Sequence, residues 1–102
     1  MAHQVSWLPA ALDDLDAIAE YISVDSPRYA SVVITRMFSE TRALADFPRM
    51  GRPVPEWNDE QVRERIVYNY RLIYQVRESS VLVLAIIHGA RNLTEELRNR
   101  MD

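Results

Sequence analysis

The chain contains no cysteine. Disulfides, thiol chemistry and cysteine-based zinc sites are therefore excluded. Lysine is also absent, and all 12 basic side chains are arginine. No ammonium can act as a tunable general base, and every cation is a planar fork that stays protonated. Glycine occurs only at Gly51 and Gly89, so a Gly-rich phosphate loop cannot be built. The two histidines, His3 and His88, lie far apart, so no pair has metal-binding spacing. No serine–histidine–acid triad can be discerned. Neither a metal nor a cofactor is expected. No apolar run approaches the roughly 20 residues that cross a bilayer. Met1-Ala2-His3-Gln4 lacks a basic region followed by an apolar core, so no secretory leader is expected. The expectation is a cytoplasmic protein.

What is present fits one domain over residues 1–102 with a single core, since 48% of the residues are hydrophobic and no tract is low-complexity. The net charge of −3 makes the molecule as a whole a poor electrostatic match for nucleic acid. The charges are unevenly placed. Arg63, Arg65, Arg71, Arg77 and Arg91 face only Glu64 and Glu78 between residues 61 and 93. Asp13, Asp14, Asp16, Glu20 and Asp25 fall in a stretch without arginine. A basic face and an acidic face are expected.

The residue pattern predicts an α+β fold. Val5-Ser6-Trp7 is a strand candidate. Pro9 suits a first helical turn, and Leu12, Leu15, Ile18, Ala19 and Ile22 form an apolar stripe over about residues 9–23. Asp13, Asp14 and Asp16 lie near that helix start, where its dipole favours negative charge. Ser26-Pro27 opens a second helix to about Asp46, with Ala30, Val33, Ile34, Met37, Thr41 and Leu44 on its inner face. The short link makes the two helices antiparallel neighbours. Three prolines and Gly51 rule out regular structure over residues 47–56, leaving an ordered loop laid over the sheet. Strand candidates follow at 62–68, 70–77 and 81–88, joined by tight turns into an antiparallel meander. Along the second, Leu72, Tyr74 and Val76 point one way, while Arg71, Ile73, Gln75 and Arg77 point the other. The third is a continuous apolar run, which implies a strand covered on both faces. Asn92-Leu93-Thr94-Glu95-Glu96 looks like the capped start of a last helix, with Leu93, Leu97 and Met101 on one face. An N-terminal strand and an antiparallel helical hairpin are thus packed on a small, mostly antiparallel sheet.

Arg63, Arg65, Arg71 and Arg91 come from neighbouring elements. Arg63 and Arg65 share a face, and if Arg71 joins them the three form a fork-shaped anion trap. The alternative is a set of solvated arginines paired with Glu64 and Glu78. His88 could transfer protons, or it could be a buried histidine bonded to a neighbour at a strand end. Gly89 after it suggests a bend or a close backbone approach. Tyr68, Tyr70 and Tyr74 could stack bases or could be half-buried packing residues. Trp57 sits in the loop, where it could pack or anchor a partner.

Several stretches in order resemble the ParE/RelE superfamily of bacterial toxins. Residues 7–15 look like its opening strand and helix start. Ile18-Ala19-Glu20-Tyr21-Ile22, with Pro27 and Ala30, looks like its hairpin. Residues 44–48 and Gly51-Arg52-Pro53-Val54-Pro55-Glu56 look like its loop. Tyr70-Arg71-Leu72-Ile73-Tyr74 and His88-Gly89-Ala90-Arg91 look like its last strands. The resemblance implies the toxin of a type II toxin–antitoxin, plasmid-stabilisation-like system, with a cognate antitoxin whose C-terminal segment wraps and neutralises it. Acidic residues of that segment would meet the arginines between Arg63 and Arg91, and the partner-binding set would be Arg63, Arg65, Arg71, Arg91 and Trp57.

The superfamily divides by target. RelE-like members cleave mRNA, mostly on the ribosome, and commonly supply lysines with a tyrosine or histidine near the final strand. ParE-like members poison DNA gyrase and have no known nuclease chemistry. The absent lysine, the acidic net charge, the His-Gly-x-Arg ending and the helix after the last strand favour the ParE-like branch. A ribonuclease would need a base, an acid and a phosphate stabiliser. On that branch Arg71 would stabilise the phosphate, Glu56 or His88 would transfer protons, and Arg65 would assist.

Overall fold

Two prolines start the two long helices. The computed structural model describes residues 2–101, so the expected domain limits at Met1 and Asp102 lie outside the described residues. β1 (Gln4–Trp7) leads through extended Leu8 into α1 (Pro9–Ser23), with Pro9 in the first turn, where its missing N–H has no intrahelical partner. The Ser26 side chain accepts a 3.0 Å bond from the Tyr29 N–H and opens α2 (Pro27–Ala43). That helix stops at Ala43, and turns carry the chain to Asp46. β2 (Arg52–Pro53), β3 (Val62–Val67), β4 (Tyr70–Val76), β5 (Ser80–His88) and α3 (Glu95–Asn99) follow.

The strands form one sheet in the order β1-β5-β4-β3-β2. β3, β4 and β5 make the expected antiparallel meander, and β1 runs parallel to β5 from Gln4 opposite Ser80 to Trp7 opposite Val83. Two helices on one face, a mixed five-stranded sheet and a short C-terminal helix give the α+β class. The breaker-rich connector departs from expectation. It contains β2, with Arg52 opposite Glu64 and Pro53 opposite Arg63. Proline is compatible with an edge strand because no outer neighbour needs its N–H.

The helical hairpin covers one face of the sheet. Ala11, Leu15, Ile22, Ala30, Val33, Met37 and Leu44 pack with Leu72, Tyr74, Val76, Val81, Val83 and Ile86. The stripe on α1 is rotated from the expected one, with Ala11 buried and Leu12 exposed. The opposite face carries a second core of Val54, Val62, Ile73, Leu84, Ala85 and Ile87, roofed by Trp57, Leu93, Leu97 and Met101. β5 is therefore covered on both sides, as its unbroken apolar run implies. Its register with β4 shifts between Ile73 and Tyr74, which leaves Leu84 unpaired, and Leu84 and Ala85 both enter the second core. The first turn of α1 holds no acidic residue. Asp14 instead accepts bonds from the Ile86 N–H at 3.0 Å and from Arg100 Nη1 at 2.8 Å, closing the edge of β5 beyond the end of β1.

Candidate functional site

The tight turn between β3 and β4 places Glu64 opposite Ile73 and Arg71 opposite Ile66. Both side chains belong to the second face, and alternation makes them diagonal neighbours there. Glu56 reaches them from the loop after Val54. The Arg71 guanidinium donates from Nε to Glu64 Oε1 at 2.6 Å, from Nη1 to Glu56 Oε2 at 2.7 Å and from Nη2 to Glu56 Oε1 at 2.8 Å. Nη1 also donates to the Arg91 carbonyl at 2.9 Å, and Glu56 Oε2 accepts from the Leu93 N–H at 3.0 Å. Glu64 takes a second cation, Arg52, at 2.7 Å. Every nitrogen of Arg71 is engaged and its side chain is only 6% exposed.

The electrostatics follow from this geometry. The hydrogen bonds from Arg71 hold the Glu56 carboxyl down at about 2 against an ordinary 4.5, outweighing the opposing effect of burial, with a smaller contribution from the Leu93 N–H. Glu56 in turn raises the Arg71 pKa, so that group is permanently charged. Two cations and two anions leave the network with no net charge. Among the described residues no buried side-chain nitrogen or oxygen lacks a partner, and no cluster of three His, Asp or Glu is placed to hold a metal. The network ties β3, β4, the loop and the C-terminal segment together.

The structure divides the candidate residues between the two faces. Arg63 and Arg65 lie opposite Tyr74 and Leu72, on the helix side, so they do not converge with Arg71 into an anion trap. The cause is the period of two: Arg71 falls opposite Ile66, out of phase with both. Arg65 pairs with Glu40 of α2 at 3.2 Å. Arg63 donates from Nε to the Glu60 carbonyl at 2.9 Å and from Nη1 to the carbonyls of Gly51 at 2.9 Å and Arg49 at 3.3 Å. His88 stands opposite Tyr70, with ring centroids 6.0 Å apart, while Ile87 stands opposite Arg71. His88 thus faces away from Arg71. It is exposed and not buried, because the apolar cover ends at Ile87, but its Nδ1 does accept from a neighbour, the Ala90 N–H, at 3.2 Å. Of the four ribonuclease candidates, Arg71 and Glu56 meet as an ion pair, and Arg65 and His88 lie on the other side.

The remaining candidates are also placed. Arg91 offers its carbonyl to Arg71, and the residue is exposed. Trp57 is half-buried in the second core, with the Arg98 guanidinium 5.7 Å from its ring centroid. The close approach expected at Gly89 is present: its N–H donates to the Asn69 carbonyl at 2.7 Å, and a Cβ there would lie 3.0 Å from that oxygen. Tyr74 is buried, with its hydroxyl accepting from the Gly51 N–H at 3.0 Å, and Tyr68 is exposed against Tyr29. Two partners were not anticipated from the sequence. Glu64 looked like a surface counter-ion, yet alternation already puts it opposite in phase to Arg63 and Arg65. The Asp14–Arg100 pair joins residues 86 positions apart and leaves no local signal.

Comparison with known proteins places this arrangement. Residues 5–93 match the family described as the ParE toxin of type II toxin–antitoxin system, parDE. Toxin RelE2 of Caulobacter vibrioides is 35% identical over 88 residues, covering 86% of this chain and 97% of that protein. The fold is similar to a chain of the chromosomal ParDE system from P. aeruginosa, with a TM-score of 0.70 at 20% identity, covering 85% of this chain and 96% of that one. It is also similar to a chain of the RelBE2 toxin–antitoxin complex of Mycobacterium tuberculosis, with a TM-score of 0.58 at 22% identity, covering 86% of this chain and 99% of that one. The extent of the match, from β1 to the residue that docks on Glu56, shows that the chain belongs to the ParE toxin family of type II toxin–antitoxin systems.

Proposed function

We propose that this chain is a single-domain, cytoplasmic toxin of the ParE-like kind, which inhibits DNA gyrase and is neutralised by a cognate antitoxin encoded beside it. The observation that carries this reading is the saturation of Arg71. A ribonuclease needs a cation free to meet the phosphate as charge develops. Here the candidate cation is closed between Glu56 and Glu64 and bonded to the Arg91 carbonyl. Glu56, held at about 2, is a weak proton acceptor, and His88 is on the wrong face to help. A surface that binds a protein target needs no such free group. The RelE-like reading, an mRNA endonuclease on the ribosome, draws support from the 35% identity to toxin RelE2.

Two assays on the same purified chain decide between them. The ParE-like reading expects loss of gyrase supercoiling with stabilised cleavage complexes, and in vitro translation left unaffected. Cells expressing the chain alone should filament with their mRNA intact, and a plasmid bearing both genes should be retained. Ribosome-dependent cuts in mRNA by the wild-type chain would overturn this reading. In that case Arg71→Ala should lower the cleavage rate by at least about 10²-fold.

A further inference from the structure

Moving Arg71 to the second face leaves the arginines of the helix-side rim to be accounted for. Gly51 is the pivot of that rim. A Cβ at Gly51 would lie 2.5 Å from the Glu64 carbonyl oxygen and 2.6 Å from the Tyr74 hydroxyl, so only glycine lets the loop approach β3 this closely. The approach brings the carbonyls of Arg49 and Gly51 onto Arg63, whose Nε is fixed by the Glu60 carbonyl. Arg63 is thus held by three backbone oxygens, none of them charged, and its Nη2 has no partner among the described residues. Arg49, exposed, spends one nitrogen on Gln61 at 2.8 Å. Arg52 does not belong to this rim: it stands opposite Glu64 on the second face and is anchored to it through Nε. Burial pushes the Tyr74 phenol up, and the Gly51 N–H and the charges of Arg63, Arg65 and Arg49 oppose that shift.

The acids at this rim are already used or do not reach. Glu40 serves both Arg36 and Arg65, and Glu64 serves both Arg52 and Arg71. Asp59 accepts the Gln61 N–H, and the Glu60 carboxylate is within ion-pair distance of no arginine among the described residues. Arg49 and Arg63 therefore have no carboxylate partner among the described residues. Two preset guanidinium forks suit carboxylates, because little side-chain entropy is lost when they bind. Phe47, 64% exposed, lies in the same turn as Arg49, which the Met50 N–H closes onto the Phe47 carbonyl. Phosphate is a weaker match. Asp59 and Glu60 stand in the same loop, and the chain as a whole is acidic.

We propose that the helix-side corner formed by Arg49 and Arg63 seats an acidic segment of the cognate antitoxin, with an apolar residue of that segment against Phe47. The assignment rests on the toxin–antitoxin reading above; it keeps Arg63 from the expected partner-binding set, moves the anchor away from Arg71 and adds Arg49, which the sequence did not single out.

The test uses the full chain and the antitoxin from the adjoining reading frame, separated and titrated against each other. Binding should weaken as salt rises from about 0.05 to about 0.3 M. Arg49→Glu should weaken it by about ten-fold or more and flatten that salt dependence, and Arg49→Gln should do so less. Arg63→Gln, accepted only if its circular dichroism matches the wild type, should behave likewise. Arg28→Glu, at the opposite end of α2, is the control and should leave affinity unchanged. Equal effects of Arg49→Glu and Arg28→Glu, or salt-independent binding, would overturn the assignment while leaving the toxin–antitoxin reading standing. So would loss of binding to a single-stranded RNA or duplex DNA oligonucleotide on Arg49→Glu, with antitoxin affinity unchanged. No binding by the wild-type chain would overturn both.

Discussion

Arg71 shows how one side chain can be stabilising in place and costly to disturb. Glu64 is fully shielded and its charge is tolerated only because Arg71 and Arg52 meet it. Arg71→Ala should destabilise the fold by about 3–5 kcal/mol, since it strands a buried carboxylate. Replacing the pair by Arg71→Met with Glu64→Leu should recover much of that loss in urea unfolding. A double variant no more stable than Arg71→Ala would contradict this account. Glu56 gives the network a pH signature. A carboxyl that is more acidic folded than unfolded stabilises the fold fully above the unfolded value of 4.5, and that contribution is lost as pH falls toward about 2. The urea midpoint of the wild type should therefore drop between those values, and Glu56→Gln should drop less steeply across the same window. Parallel curves for the two proteins would show that Glu56 is not the group responsible. Gly51 is the third sensitive position. Gly51→Ala should cost about 1–3 kcal/mol, because the added carbon meets the Glu64 carbonyl and the Tyr74 hydroxyl in a packed site.

At the level of elements, the turn between β3 and β4 is the strained point. Val67 pairs with Tyr70, so Tyr68 and Asn69 alone reverse the chain, and Tyr68 takes a φ of 53°. A side chain at positive φ costs about 1–2 kcal/mol, and a β-branched one is worst. Tyr68→Val should therefore be less stable than Tyr68→Gly by about 1 kcal/mol or more in chemical denaturation. A valine variant as stable as the glycine one would mean that the strain is relieved elsewhere. Most elements were legible in the sequence because their signals are local. Pro9 and Ser26-Pro27 start helices through their own backbone chemistry, and the alternation along residues 70–76 survives the shift of register in β5. The rotation that buries Ala11 instead of Leu12, the unpaired Leu84 and the two-residue β2 were not legible, because each depends on how whole elements dock. The site was readable only in part for the same reason. Glu56 and Arg71 stood out by type, but the face each side chain occupies depends on the strand register, which split Arg71 from Arg63, Arg65 and His88.

On the scale of the molecule, the two faces of the sheet are covered by unequal means. The hairpin contributes two long helices with six buried apolar residues in the first core, whereas α3 has five residues and buries none fully. A helix that short does not persist unaided. It is held by Leu93, Leu97 and Met101 on the second core, by Arg98 over Trp57 and by Arg100 on Asp14 and the Leu84 carbonyl. Residues 94–101 are therefore the part of this face most readily removed. Deletion from Thr94 onward keeps Arg91 and Leu93, hence both backbone contacts to Arg71 and Glu56, and leaves the hairpin core untouched. The fold should survive with a loss of about 1–3 kcal/mol, the burial lost at Leu97 and Met101. Toxicity or antitoxin affinity should change, because the segment covers one side of the sheet beside Trp57. Circular dichroism, urea unfolding, growth inhibition and antitoxin titration on the truncated chain test this together. An unfolded truncation would show that the segment is needed for the second core to form at all. A folded truncation with unchanged toxicity and unchanged affinity would show that this side of the sheet serves neither partner.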